Sequence, residues 1–129
     1  MTDNAKIMQE LYAAFAKGDI PAVLAGFDPN IEWIEPEGLP YAGTYSGPDA
    51  VLNKVFMTLG TDFDGFTVTP DEIVASGDRV IALGHLAGTY KKTGKSFKVP
   101  TVHAWRLKDG RPTHFEQYTN TAIVQRALT

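Results

Sequence analysis

The segment from Ile31 to Pro40 reads Ile-Glu-Trp-Ile-Glu-Pro-Glu-Gly-Leu-Pro, and the interpretation of the whole chain starts from it. Successive side chains of a β-strand point to opposite faces, so a strand here places Ile31, Trp33 and Glu35 on one face. A proline favours an extended backbone at the residue before it, and Pro36 therefore carries this alternation through Glu35. The segment predicts a strand whose apolar face ends in a carboxylate.

Glu35 is the first candidate for a catalytic residue. If its face lines a cavity, burial disfavours the charged carboxylate and raises the pKa of Glu35, which suits a general acid or base. The alternative is a solvated strand end within an acidic turn, because Glu32 and Glu37 lie close in the sequence. Carboxylates are rarely fully buried, so the residues alone leave both interpretations open.

The composition favours an ordinary globular protein. The chain has 129 residues, near the commonest domain size, and we predict one domain over residues 1–129. The net charge is -3 and no basic cluster extends beyond Lys91 and Lys92, which argues against a nucleic-acid or anionic-membrane partner. There are no cysteines, so thiolate catalysis and cysteine-ligated metals are excluded. The polar N-terminus and the lack of a long apolar run predict a cytoplasmic protein.

Helical periodicity dominates the first 60 residues. The pattern predicts a helix that begins at Thr2 or Asp3 and ends at Gly18, followed directly by a short second helix. A third helix is expected to begin at Pro48 and to end at Gly60.

Strand-like periodicity replaces the helical pattern from about residue 63. Four strands are predicted, over residues 66–75, 79–90, 96–107 and 113–119. Pro70 indicates that the first of them is bent or lies at an edge, and the second is apolar on both faces and therefore looks central. Asn120 or Thr121 then caps a short terminal helix. This order predicts an α+β fold, with helices packed on one face of an antiparallel sheet.

The long strand over residues 96–107 carries the second candidate for a catalytic residue, His103. Alternation places Thr101, His103, Trp105 and Leu107 on one face. A histidine on a concave apolar face suits a general acid or a donor to a developing oxyanion. The alternative is a core histidine bonded to a neighbour, or one on a solvent-exposed face. Because Arg106 lies on the opposite face, the His103 face is the better candidate for burial.

The remaining histidines give a weak signal. His85 lies in the middle of a strand and could line the same cavity, but a structural role is favoured; His114 follows a turn and is expected to be solvated. Three histidines on three strands, without a pair at helical spacing, are not typical of a metal site. A site built from His85, His103 and Glu35 is therefore disfavoured, and no metal is predicted.

Five short motifs follow one another in an order that resembles a known family. They are Tyr12-Ala-Ala-Phe15 with Gly18-Asp19, Glu32-Trp-Ile-Glu-Pro36, Gly43-Thr-Tyr-Ser-Gly47, His103-Ala-Trp-Arg-Leu107 with Asp109-Gly110, and Glu116-Gln-Tyr-Thr-Asn-Thr-Ala122. Together they resemble the SnoaL-like branch of the NTF2-like superfamily over nearly the whole chain. The resemblance implies a cone-shaped α+β barrel with three main helices and a curved, mostly antiparallel sheet. It also implies a deep apolar pocket and a homodimer packed through its sheets.

Members of similar layout include ketosteroid isomerases and polyketide cyclases. In the isomerases the proton-abstracting carboxylate directly precedes a proline on the strand after the first two helices, and Glu35 matches that position with glutamate in place of aspartate. The isomerases' oxyanion acid lies on the long third strand of the meander, where His103 falls. The cyclases carry a histidine on that strand.

The chain departs from these relatives at two places. The isomerases' oxyanion tyrosine on the first helix aligns with Leu11 rather than with Tyr12. The acid that cyclase-like members carry after the aromatic of the last strand is replaced by the neutral Thr119 and Asn120.

The resemblance and the residues together predict an isomerase-like or cyclase-like enzyme. It would remove a proton next to a carbonyl of a small apolar ligand without a cofactor, with Glu35 as base and His103 as oxyanion donor. The expected ligand contacts are Tyr12, Trp33, His85, Trp105, Tyr118 and Asn120. One alternative is a non-catalytic module for ligand binding or dimerisation. The other is a dehydratase or hydrolase that uses His103 and a bound water.

Overall fold

The computed structural model describes residues 3–129. Its first helix, α1, spans Asn4–Ala16, and α2 spans Ile20–Gly26. The Asp3 side chain caps α1 by accepting a hydrogen bond from the backbone N–H of Lys6 at 3.0 Å. The other predicted start, Thr2, lies outside the described residues.

The third helix, α3, is continuous through three segments of different winding. An α-helical turn over Pro48–Val51 leads into a π-helical segment, Leu52–Phe56, and an α-helical segment, Met57–Asp62. The prediction that Gly60 ends this helix is wrong, because the helix continues to Asp62. The backbone of Gly60 is helical, and no other described residue packs against this position. The helix ends after Asp62, where the side chain of Phe63 enters the core.

Six strands form one mixed sheet, and a terminal helix follows them. The strands are β1 (Glu32–Glu35), β2 (Gly43–Ser46), β3 (Phe63–Ser76), β4 (Arg79–Tyr90), β5 (Ser96–Lys108) and β6 (Arg111–Thr119), and α4 spans Thr121–Leu128. Their order in the sheet is β2-β1-β6-β5-β4-β3. Among these six strands of the described residues, only β1 and β6 pair in parallel. The α+β prediction is confirmed, but the sheet does not close into a barrel, because β2 and β3 remain unpaired edges.

The strand that contains Pro70 lies at an edge and is irregular, as predicted. The register between β3 and β4 shifts between Asp64 and Thr67 and again between Pro70 and Glu72. Proline cannot donate to a ladder, which explains why the second shift falls there. β4 lies inside the sheet, between β3 and β5, as its apolar pattern predicted.

The two faces of the sheet have different environments. The inner face packs under the helices, and on β5 it buries every second side chain from Phe97 to Leu107. The outer face leaves Val74, Leu83 and Tyr118 exposed. None of the helices between residues 3 and 129 combines the length and the apolar character needed to cross a membrane.

Candidate functional site

Two rows of side chains cross the inner face of β1, β6 and β5. In the first row Phe115 of β6 pairs with Trp33 on one side and Trp105 on the other. The second row lies one pleat further along, where Gln117 pairs with His103. The parallel register of β1 and β6 brings Glu35 to the other side of Gln117, because Ile34 pairs with Glu116.

The first row is a stack of aromatic rings. The centroids of Trp33 and Phe115 lie 3.8 Å apart, and those of Trp105 and Phe115 lie 4.6 Å apart. Each aromatic contact of this kind contributes about 0.5–1.5 kcal/mol beyond the area it buries. The row therefore forms a stiff wall beside the polar groups of the second row.

A cavity lies between this inner face and the helices. It leaves about 50 Å³ for the centres of water-sized molecules, which is room for a few waters or one small ligand. Its lining is mostly apolar and comprises Leu11, Tyr12, Phe15, Val23, Phe27, Trp33, Glu35, Tyr41, Val55, Phe56, Leu59, Phe66, Val68, Leu86, His103, Trp105, Phe115 and Gln117. None of these described lining residues is a lysine or an arginine.

Glu35 is a buried carboxylate held by two N–H donors. Nε1 of Trp33 donates to Oε2 at 2.8 Å, and Nε2 of Gln117 donates to Oε1 at 2.6 Å. Burial raises the pKa of Glu35 from 4.5 to about 8, although both hydrogen bonds favour the charged form. The effect of desolvation exceeds that of the two hydrogen bonds, because no lysine or arginine among the described lining residues stabilises the charge. The solvated alternative is therefore wrong, since only 5% of Glu35 is exposed.

His103 lies on the opposite side of Gln117 from Glu35. Its Nε2 is 2.7 Å from Oε1 of Gln117, and the same oxygen accepts a hydrogen bond from the Thr101 hydroxyl at 2.9 Å. Burial lowers the pKa of His103 from 6.5 to about 4, although its hydrogen bond to Gln117 favours the charged form. The imidazole is therefore neutral around pH 7, with one donor and one acceptor nitrogen.

The Tyr12 hydroxyl completes the polar cluster from α1. Its oxygen is 2.7 Å from Nδ1 of His103 and accepts a hydrogen bond from Nε1 of Trp105 at 2.9 Å. Burial raises the pKa of Tyr12 far above its usual value, so the hydroxyl keeps its proton. The neighbouring residue of α1, Leu11, also lines the cavity.

The structure brings five of the predicted site residues together. Glu35, His103, Tyr12, Trp33 and Trp105 all line the cavity. Alternation along β1 and β5 predicted inner faces for the four strand residues of this set, whereas Tyr12 comes from α1. The register of β6 then joins the two strands. Both ring nitrogens of His103 have protein partners, Tyr12 at Nδ1 and Gln117 at Nε2.

The other three predicted ligand contacts lie outside the cavity, which corrects the sequence-based prediction. His85 and Tyr118 occupy outward positions of β4 and β6, and Asn120 follows β6 at the surface. His85 is half-exposed and pairs with Asp71 at 2.7 Å. Successive side chains of a strand point to opposite faces. On β4 and β6 the neighbouring residues Leu86 and Gln117 face the cavity, so His85 and Tyr118 face outward.

Two polar side chains of the cavity lining, Gln117 and Tyr41, were not predicted as site residues. Gln117 lies on the same face as Phe115, and the alternation of the last strand could have identified it. Tyr41 is buried in the loop between β1 and β2, where no periodic pattern exists to reveal it. Burial and the charge of Glu35 together raise the pKa of Tyr41.

No metal centre is apparent in the described part of the chain. Across residues 3–129, no group of three or more histidine, aspartate or glutamate side chains is arranged to hold a metal ion. His85 and His103 are on opposite faces of the sheet, so the disfavoured site with Glu35 does not assemble.

Comparison with known proteins gives a consistent family. The model of the SnoaL-like domain matches residues 8–115. An NTF2-like protein from Burkholderia thailandensis E264 is 41% identical, with a TM-score of 0.96 over 100% of this chain and 99% of that one. TerC, crystallised with polyporic acid, is 28% identical, with a TM-score of 0.87 over 97% of both chains. An uncharacterised protein of Mycobacterium tuberculosis is 27% identical over 121 residues, covering 92% of this chain and 91% of that protein. The chain therefore belongs to the SnoaL-like domain family and has the NTF2-like fold.

Proposed function

We propose that this protein removes a proton from the carbon next to a carbonyl of a small, uncharged, mostly apolar ligand. The observation that carries the proposal is a buried carboxylate, Glu35, whose pKa is raised to about 8. The described residues that line its cavity include no lysine or arginine. A base with a pKa near the working pH combines basicity with a usable ionised fraction. The apolar walls favour an uncharged ligand, because burying an unpaired charge is costly.

The proposed reaction follows from the positions of the polar groups. Glu35 takes the proton from carbon, and the electron pair of the broken C–H bond moves into an enolate whose oxygen gains the charge. The Tyr12–His103 pair stabilises this oxygen by hydrogen bonding. Return of the proton from Glu35 to another carbon gives an isomer. Attack of the enolate carbon on a second carbonyl forms a C–C bond, and the oxygen of that carbonyl takes the proton from Glu35 to give a cyclised alcohol. No step of this scheme requires a cofactor.

The related TerC supports a ligand-binding role for this fold, since it was crystallised with polyporic acid. The family matched by residues 8–115 is consistent with chemistry of the isomerase or cyclase type. The predicted homodimer and the predicted absence of nucleic-acid partners remain predictions.

The test follows the proton rather than a product, because the natural ligand is not identified. The purified protein is incubated in D₂O with a panel of uncharged cyclic and aromatic ketones, and loss of the α-C–H signal is followed by proton NMR. We expect faster exchange for at least one ketone, with a rate that rises with pH through about 8 as Glu35 ionises. Glu35→Gln should reduce that rate by roughly 10²- to 10⁴-fold, because the base is lost.

Glu32→Gln is the matched control. It makes the same change on the same strand, but on the opposite face, where the Glu32 side chain is half-exposed. Its exchange rate should equal that of the unaltered protein. Equal rates for Glu35→Gln and Glu32→Gln would rule out Glu35 as the base.

One observation favours a second function, that of a non-catalytic binding module. The hydrogen bonds of Glu35, Gln117 and His103 are satisfied within the protein, as expected of a polar network that only stabilises a cavity. This function predicts that a ketone of the panel binds to the protein while its exchange rate stays at the rate in buffer.

A further inference from the structure

The hydrogen bonds around Gln117 have a direction that the charge of Glu35 determines. An ionised carboxylate can only accept, so Gln117 presents its NH₂ group to Glu35 across 2.6 Å. The amide oxygen then faces Nε2 of His103 at 2.7 Å, and this nitrogen must be the donor. Nδ1 of His103 is consequently the acceptor, and the Tyr12 hydroxyl donates to it across 2.7 Å.

Protonation of Glu35 removes the constraint that sets this direction. The new carboxylic O–H needs an acceptor, and a donor left unpaired in an apolar cavity is costly. Half a turn of the Gln117 amide supplies its oxygen as that acceptor and directs its NH₂ group to Nε2 of His103. The imidazole then carries its proton on Nδ1 and donates to the oxygen of Tyr12. Since Trp105 also donates to this oxygen, the Tyr12 proton is free to point into the cavity.

Thr101 is placed so that either direction leaves it satisfied. In the first arrangement its hydroxyl donates to Oε1 of Gln117 at 2.9 Å. The same hydroxyl is 3.4 Å from the backbone oxygen of Tyr118, which gives it a second acceptor when the amide presents its NH₂ group. Thr101 is therefore paired in both arrangements, and the donor that loses its protein partner in the second arrangement is the Tyr12 hydroxyl, which faces the cavity.

We propose that Gln117 is a positioning residue that couples the protonation of Glu35 to the tautomer of His103 and thereby to the direction in which Tyr12 donates. The catalytic meaning of this coupling rests on the proposed function. When Glu35 has taken the proton from carbon, the Tyr12 O–H becomes available to the enolate oxygen. His103 gains no net proton, since one leaves Nε2 and one is taken up at Nδ1 by exchange with solvent. The proton on Glu35 comes from the ligand or from solvent.

Four titratable side chains besides Glu35 belong to this environment. Tyr12 comes from α1, Tyr41 from the loop after β1, Tyr45 from β2 and His103 from β5. The cavity-lining residues of α2, α3, β3 and β4 are all apolar. The charge of Glu35, after burial, raises the pKa of Tyr41 and of Tyr45. Glu35 is therefore the group of this set that changes charge around pH 8.

The experiment reads the tautomer of His103 directly, without a ligand. The protein is labelled with ¹⁵N at histidine, and the two ring nitrogens of His103 are followed by NMR across the pH range around the Glu35 midpoint. His85→Gln and His114→Gln assign the other two rings. We expect the proton on Nε2 above the midpoint and on Nδ1 below it, with the change centred near pH 8. A proton that stays on Nε2 throughout would overturn the proposal.

Two variants test whether the tautomer change of His103 requires Gln117 and the ionisation of Glu35. Gln117→Leu should make the His103 tautomer independent of pH, and so should Glu35→Gln, in which residue 35 does not ionise. If Gln117→Leu does not fold, comparison of the unaltered protein with Glu35→Gln is sufficient. A tautomer change that persists in Glu35→Gln would overturn the proposal, because another group would then drive it.

Tyr41 is a second buried hydroxyl whose pKa the charge of Glu35 raises, and Tyr41→Phe removes this hydroxyl. The tautomer change should persist in that variant, and its loss there would assign the coupling to Tyr41 instead. Because this readout needs no turnover, it can fail while ketone exchange succeeds, or succeed while ketone exchange fails. The two proposals are therefore tested independently.

Discussion

At the scale of single residues, the properties of Glu35 come from solvent exclusion rather than from a charged neighbour. Both oxygens accept N–H bonds, which would by themselves lower its pKa, yet burial raises it. A hydrogen-bonded carboxylate without a counter-ion is more stable protonated than ionised in such surroundings. The ionised form of Glu35 at alkaline pH therefore lowers the free energy of unfolding.

This cost leads to a prediction about stability. Between pH 4.5 and about 8 the folded chain retains a proton on Glu35 that the unfolded chain has lost, so the free energy of unfolding falls as pH rises. His103 acts in the opposite direction, but only between about 4 and 6.5. Glu35→Gln should therefore become more stable than the unaltered protein above pH 6.5, by a few kcal/mol at about 1.4 kcal/mol per pKa unit.

Urea denaturation at a series of pH values measures this difference. The gap between Glu35→Gln and the unaltered protein should widen with pH until about pH 8 and then stay constant. Glu32→Gln should run parallel to the unaltered protein, because Glu32 is half-exposed on the other face. A gap that does not vary with pH would show that Glu35 has an ordinary pKa.

At the scale of secondary structure, β6 assembles the site. It pairs in parallel with β1 and antiparallel with β5, so one strand sets both registers. A slip of one residue in either pair would turn a whole row of side chains to the other face. The rigid aromatic row around Phe115 opposes such a slip.

The bulged edge strand allows a prediction about Gly84 of β4. A β-carbon at this position would overlap the backbone carbonyl of Thr69 on β3, next to the register shift at Pro70. Gly84→Ala should therefore destabilise the protein by about 1–3 kcal/mol, the range for overpacked sites. Thermal unfolding with the matched Gly60→Ala variant tests this, because Gly60 lies in a helix with open space around it. That control should be neutral or stabilising by about 0.5–1 kcal/mol; an equal effect at both glycines would contradict the close approach.

At the scale of the whole molecule, the cavity is a gap between the helical layer and the inner face of the sheet. Helices α1, α2 and α3 cover it, and β3 bends along one side. An uncharged ligand that fills this gap binds the folded chain and not the unfolded one, so it should raise the unfolding temperature.

The corresponding prediction compares two ligands of similar shape. Acetophenone, which is uncharged, should stabilise the protein, by about 2.7 kcal/mol when present at 100 times its Kd. The anion 4-acetylbenzoate should not stabilise the protein, because the described lining of the cavity has no lysine or arginine to pair with its charge. Differential scanning calorimetry at alkaline pH, where Glu35 is ionised, measures both.

A matched pair of variants locates the binding. Leu59→Trp fills the cavity and should abolish the stabilisation by acetophenone, whereas Leu83→Trp on the exposed outer face should preserve it. Stabilisation that survives in Leu59→Trp would place the ligand elsewhere.

The sequence by itself determined the elements and most inward faces. Periodicity gave the helices and the strand meander, and alternation placed Glu35 on the face of Trp33 and His103 on the face of Trp105, because these patterns depend only on local backbone geometry. What local patterns do not contain is which strands pair and in which register. The parallel pairing of β1 with β6 was therefore decided by the tertiary structure alone, and so was the position of Gln117 between the two candidate residues. The same pairing contributes to the raised pKa of Glu35, because the desolvation of its carboxyl group depends on the side chains that distant segments place around it.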